Sequence, residues 1–281
     1  MNVSIVIPVY NEASQLDACL SAIAKQSIKP LEVIVVDNNS TDNSLAVARC
    51  YDFVKILNEP LQGVIHARTT GFDAARGDII ARIDADSVLP IDWVQSVNEV
   101  FQDDEVQATS GLANYYGLAG ADFVNAIDLF FRRRLERQMA GAVYLWGANM
   151  AIRKSAWMLI RPSLCIKGDL HEDFDIAIHL QRNGGLVTFD ERLVASVSSR
   201  RIDVNYLDFM KYVMVSPKTY AMHGIKSRWH MYSVVMLCAV AYAPGRILHR
   251  GYDAQQNSFS LRQLFTAKPA IPRVDPTANV A

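Results

Sequence analysis

Along the first hundred residues the spacing of apolar positions alternates between the period of a strand and that of a helix. Val3-Ser4-Ile5-Val6-Ile7 is an apolar run of strand length that meets Pro8. From about Ser14 to Lys25 the period lengthens, and Leu16, Cys19, Leu20 and Ile23 share one helical face. Glu32–Val36 predicts a second strand. The loop Asp37–Asp42 after it is rich in helix-capping residues and leads to a helix of about Asn43–Tyr51. Val54–Leu57 and a helix of about Val64–Ala75 follow, and Arg76-Gly77-Asp78 separates that helix from a fourth apolar run, Ile79–Ile83. Strands alternating with helices predict an α/β fold with a mostly parallel central sheet flanked by helices. Right-handed crossovers place the strand-end loops on one rim.

Further along the pattern is less regular. Residues 120–139 read as a helix carrying Arg132, Arg133, Arg134 and Arg137, either a solvated basic face or a patch for anionic headgroups. Glu172–Arg182 reads as a helix and Val194–Ser199 as a strand, followed by Arg200-Arg201. Residues 206–248 turn apolar: Tyr206–Val215 carries sparse charge, and Met231–Ala243 carries none. A membrane span needs about 20 mostly apolar residues, which Trp229–Leu248 approaches. The basic and aromatic flanks favour a helix lying at a membrane surface over a spanning or a core helix.

Composition narrows the class. The 281 residues suffice for one large or two ordinary domains. Lys plus Arg (28) nearly balances Asp plus Glu (29), which leaves no basic field for nucleic acid. Cys19, Cys50, Cys165 and Cys238 lack Cys-x-x-Cys spacing. That argues against a zinc site or a disulfide framework and fits a reducing compartment. The first apolar run is too short for a signal peptide and lacks a basic start, so a cytoplasmic location is expected.

The chemistry concentrates on the rim. Asp84-Ala85-Asp86 follows the fourth strand directly, placing two carboxylates where open α/β sheets bind ligands. Hard divalent cations take carboxylate oxygens and share their coordination with phosphates. Neither Gly-x-Gly-x-x-Gly nor a Walker-type loop is present, so a diphosphate here is expected to be held by metal rather than by a glycine cradle.

Six blocks in order resemble the family 2 glycosyltransferases over about residues 2–205. They are Ile5–Glu12, Val35–Asp42, His66-Ala67-Arg68 through Asp78, Ile83–Asp86, Gly147–Arg153 and His171–Asp175. The resemblance implies a glycosyltransferase A-type fold and a metal-dependent, inverting transfer from a nucleotide sugar, with a UDP-sugar favoured. The acceptor would be a hydroxyl of a saccharide or lipid-linked molecule, in cell-envelope polysaccharide or glycolipid synthesis at the inner face of a membrane. It further implies nucleotide contacts from Pro8, Tyr10, Glu12, Asp37, Arg68 and Asp84, and Mn²⁺ or Mg²⁺ on Asp86 and Asp84. Asp173, with Glu172 beside it, would be the general base, and Arg200 and Arg201 would lie near the diphosphate.

The implied division is a catalytic domain over 1–205, with a nucleotide half to about 110 and an acceptor half beyond it. A helical segment over 206–250 and a tail over 251–281 complete it. The Gln-x-x-Arg-Trp pattern of processive members is absent, so transfer of one or a few sugars is expected. A catalytically silent nucleotide-sugar binder with the same fold is the alternative.

Overall fold

A computed structural model of the chain describes residues 1–116, 125–126, 129–130, 133, 145–166, 170–225, 228–253 and 258–260. The predicted strands form β1 (Val3–Val9), β2 (Glu32–Asp37), β3 (Val54–Asn58) and β4 (Ile79–Ile83), with helices α1 (Ala13–Ala24), α2 (Ser44–Arg49) and α3 (Val64–Ala74) between them. Then come α4 (Trp93–Val100), β5 (Val106–Tyr116), β6 (Asn149–Arg153), α5 (Lys154–Ile160), α6 (Glu172–Arg182) and β7 (Leu186–Ser198). Two longer helices follow, α7 (Tyr206–Met222) and α8 (Arg228–Gly251), and a short strand pair lies at Tyr252–Asp253 and Ser258–Phe259.

The seven strands make one sheet in the order β3-β2-β1-β4-β6-β5-β7. Strands β1 to β4 pair in parallel, β6 runs antiparallel to both β4 and β5, and β7 is parallel to β5. Strands β1 and β2 are buried on both faces, which is why they read as unbroken apolar runs. Alternate residues divide between two cores. Ile5, Ile7, Val33, Ile79 and Ile83 pack with α1 and α4, whereas Val6, Ile34, Val36 and Ile80 pack with α3, α5 and α6 through Phe72, Trp157 and Ile176. Arg82, two residues after Ile80, brings a charge into that second layer.

Two boundaries differ from expectation. Strand β7 begins at Leu186 rather than Val194, because Asp190-Glu191-Arg192 interrupts the apolar alternation although the backbone stays extended. At the register shift between Ser110 and Leu112 the two long strands come close. A Cβ on Gly111 would lie 1.9 Å from the Leu193 carbonyl oxygen, so glycine is required there. Helix α2 spans only Ser44–Arg49, shorter than the predicted Asn43–Tyr51. Arg133 is bound by Glu191 through two 2.6 Å contacts, while Arg132, Arg134 and Arg137 lie outside the described residues, as do 254–257 and 261–281 of the expected tail.

Helix α8 meets α6 and α7 through Phe174, Ile178, Tyr220 and Met231. Its outer face is apolar, with Met236 69% and Val240 71% exposed. Met231–Gly251 is the one stretch among the described residues long and apolar enough to cross a membrane, with a mean hydropathy of 1.5.

Candidate functional site

Strands β1 to β5 and β7 point the same way, so Val9, Asp37, Asn58, Ile83, Tyr116 and Ser198 all end at one rim. The strand order turns back between β1 and β4, the switch point at which open α/β sheets form a crevice. The loops after β1, β2 and β4 carry Glu12, Asp37 and Asp84-Ala85-Asp86.

Loop geometry at the rim rests on two asparagines. Asn11 and Asn39 adopt left-handed backbone, with φ of 55° and 65°, a conformation asparagine tolerates better than most residues. The Asn11 side chain accepts the Thr41 N–H at 2.7 Å, and its own N–H donates to Ser40 Oγ at 3.1 Å, joining the first two loops. Asp37 is buried and accepts the Ser40 N–H at 3.2 Å. Pro8 and Tyr10 stand half-buried beside them.

The Asp84–Asp86 loop is tied to β7 by reciprocal backbone bonds between Val88 and Ser196, at 2.8 and 2.9 Å. That tie brings Arg200 to Asp86: Arg200 Nη2 lies 2.9 Å from Asp86 Oδ2 and 2.8 Å from Glu12 Oε2. Burial alone would lower the Arg200 pKa, but the two carboxylates hold it above its ordinary value. Tyr116, at the end of β5, donates its hydroxyl to the Asp86 carbonyl at 2.9 Å. Of Arg200-Arg201, only the Arg200 side chain belongs to the described set.

A second charge cluster lies inside the layer between β4, α3 and α6. Arg82 binds Glu172 and reaches Asp84 Oδ1 at 3.3 Å, so one guanidinium links the rim to the start of α6. Gly147 leaves it space, since a Cβ there would lie 2.3 Å from Arg82 Nη1. Burial raises the Glu172 pKa, but Arg82 and Arg68 more than offset this and keep the carboxylate ionised below the usual range. Asp173 differs: burial and the adjacent Glu172 charge push it up to about 7, although it accepts N–H bonds from Gly147 at 2.7 Å and Phe174 at 2.9 Å.

Arg68 is wholly buried and faces the rings of Trp157 and Phe72. Its Nε and Nη1 have no hydrogen-bond partner, and burial pushes its pKa down to about 10, only partly countered by Glu172. Sequence reasoning passed over Arg82 and Tyr116. A charge inside an apolar strand was the available signal for Arg82, because buried charges are paired.

The rim residues fit a hard divalent ion. Glu12, Asp84 and Asp86 offer oxygen donors only, and Asp86 is buried against a cation. Arg200 Nε is buried there without a hydrogen-bond partner, a donor suited to a phosphate oxygen.

Residues 4–159, more than half of the chain, match the model of glycosyl transferase family 2. Glycosyltransferase AglE of Haloferax volcanii is 29% identical over 179 residues, 60% of this chain and 59% of its own length. Glycosyltransferase GlyG of Streptococcus pneumoniae is 28% identical over 125 residues, 43% of this chain and 41% of its own. The chain thus spans less than two thirds of either relative.

Among solved structures, the mannosyltransferase PcManGT of Pyrobaculum calidifontis, in complex with GDP-Man and Mn²⁺, superposes with a TM-score of 0.65 at 19% identity, covering 93% of this chain and 77% of that one. Glucosyl-3-phosphoglycerate synthase of Mycobacterium tuberculosis, with Mn²⁺, UDP-glucose and phosphoglyceric acid, gives 0.56 at 20% identity and 80% coverage of each chain. At these identities the likeness concerns the fold, the glycosyltransferase A-type α/β sheet.

Proposed function

The chain belongs to glycosyl transferase family 2, and we propose that it transfers a single sugar from a nucleotide-diphosphate sugar, with inversion, to a hydroxyl of a saccharide or lipid-linked acceptor. The observation that carries this reading is a pair of ion-pair sets joined through the Asp84-Ala85-Asp86 loop. Arg200 bridges Glu12 and Asp86 at the rim, and Arg82 bridges Asp84 and Glu172, the residue before Asp173, within the protein. Donor-type and base-type carboxylates are thereby held in one frame.

In this reading Pro8, Tyr10 and Asp37 take the nucleoside, with UDP favoured by Asp37 as a hydrogen-bond acceptor for the base. Asp86 and Asp84 hold Mn²⁺ or Mg²⁺, and the bound ion supplies Lewis-acid stabilisation to the leaving diphosphate. Arg200 donates to a phosphate oxygen. Asp173 takes the proton of the attacking acceptor hydroxyl, a contribution of about 10²–10⁴-fold. Its elevated pKa suits a base working near neutrality. Glu172 acts as a positioning residue by holding Arg82. A base on the face of the sugar opposite the leaving group gives inversion in one displacement, with no covalent intermediate.

The exposed apolar face of α8 supports docking at the cytoplasmic face of a membrane, where a lipid-linked acceptor is at hand. The domain division at about residue 205 follows, with α7 and α8 as the membrane-facing part. The test is release of nucleoside diphosphate from a panel of UDP- and GDP-sugars with Mn²⁺. Turnover in the wild type and its loss in Asp173→Asn, with nucleotide binding retained, supports the enzyme. Binding without turnover in the wild type, over a broad acceptor panel, would instead leave a silent binder.

A further inference from the structure

A separate set of metal-ligand side chains lies further along α6. Asp175 and His179, four residues apart, share one face of that helix. His223 caps the C-terminus of α7, and Cys165, a free thiol, follows the short 3-10 turn Arg161–Ser163. These stretches bring the ligand atoms of Cys165, Asp175, His179 and His223 within 4.8 Å of one another.

The group is incomplete as a network of ordinary hydrogen bonds. Asp175 is fully buried, and its Oδ1 lies 2.8 Å from His223 Nε2 and 3.4 Å from His179 Nε2. All three atoms are buried, yet none makes a hydrogen bond of acceptable geometry. Buried polar atoms normally find partners. Here three lie together, with both imidazole nitrogens close to the one carboxylate oxygen. Asp175 Oδ2 is meanwhile fixed by the Cys165 backbone N–H at 2.9 Å, the outer support that orients a ligating carboxylate. The rival is a neutral His223 that turns its Nε2–H to Asp175 Oδ1 and accepts at Nδ1 from Arg182 Nη1, 3.3 Å away. That arrangement leaves His179 Nε2 unsatisfied.

We propose that Cys165, Asp175, His179 and His223 bind Zn²⁺ as a closed structural site, distinct from the rim carboxylates. One thiolate, two imidazoles and one carboxylate are all zinc-ligand types, they number the four that a closed site needs, and they are softer than the oxygen-only rim. Without the ion, burial and Asp175 push the Cys165 thiol up to about 11, so binding Zn²⁺ releases its proton to solvent with no redox change. The ion cross-links three segments and fixes α6, the helix whose first turn carries Glu172 and Asp173. Cysteine spacing gave no sign of it, because the other three ligands come from outside any Cys-x-x-Cys pattern.

Protein purified without added metal, then dialysed and assayed by plasma mass spectrometry, is expected to hold about one zinc per chain, as a closed four-ligand site does. Cys165→Ser and His223→Gln should lose it, and Asp86→Ala should keep it. Replacing the ion with Co²⁺ should give a thiolate charge-transfer band and the intense visible bands of tetrahedral cobalt, absent in Cys165→Ser. Chelation should lower the melting temperature of the wild type but not of Cys165→Ser. The proposal is overturned by a wild type that takes up neither Zn²⁺ nor Co²⁺ in this form. Zinc retained by both ligand variants, or lost on Asp86→Ala, also overturns it.

Discussion

The molecule holds two assemblies of carboxylates and guanidiniums that differ in how they are mounted. At the rim, Glu12, Asp86 and Arg200 sit on segments that follow β1, β4 and β7, and they meet across the open end of the sheet. Inside, Arg82 belongs to a central strand, Arg68 to α3, and Glu172 and Asp173 to the first turn of α6, so each is fixed by packed secondary structure. The chemistry is similar, and the mounting sets the task. Side chains on loops can exchange one partner for a ligand, whereas paired charges inside packed elements, Arg82 and Glu172, serve as a frame beside Asp173. Asp84 touches both, through Arg82 on one side and its place on the rim loop on the other.

If this contrast holds, its inner member should show first in stability. Arg82→Ala strands Glu172 as a buried charge, and a loss of about 3–5 kcal/mol is expected in denaturant unfolding. An effect no larger than that of Arg200→Ala would erase the distinction. Asp173→Asn should leave folding and nucleotide affinity nearly unchanged while lowering turnover by about 10²–10⁴-fold. Arg200→Ala should act in the opposite sense, weakening nucleotide diphosphate binding by about 1.5–3 kcal/mol, the range for a charge-assisted hydrogen bond, with little change in unfolding.

The dependence on pH gives a further check. Asp173 is raised from an ordinary value of 3.8 to about 7, so the folded state binds its proton more tightly than the unfolded chain does. Its contribution to stability is therefore fully present below about pH 4 and is lost as pH rises through about 7. Turnover should run the other way, rising over the upper part of that window as the base loses its proton. Asp173→Asn should flatten its share of the stability profile, which chemical unfolding at a series of pH values would reveal.

Much of the first half of the fold was legible because strands buried on both faces and helices with one apolar face leave distinct periods. Strand β7 was only partly legible, since polar residues at 190–192 break the alternation while the backbone continues. The rim acids were visible as residues after apolar runs, but their partners were not. Arg82 meets Glu172 90 residues away, and Asp86 meets Arg200 across 114, distances that no local pattern encodes. Arg68 shows the same limit. Its place in a motif gave no sign that it is wholly buried against Trp157 and Phe72.

The central claim is that the rim is a metal-dependent nucleotide diphosphate site centred on Asp86. Calorimetric titration of UDP, and separately of GDP, into wild type and Asp86→Ala, with and without Mn²⁺, tests it directly. The account predicts binding of at least one of the two that requires Mn²⁺ in the wild type and vanishes in Asp86→Ala. Binding that ignores the metal, or survives unchanged in Asp86→Ala, would contradict it.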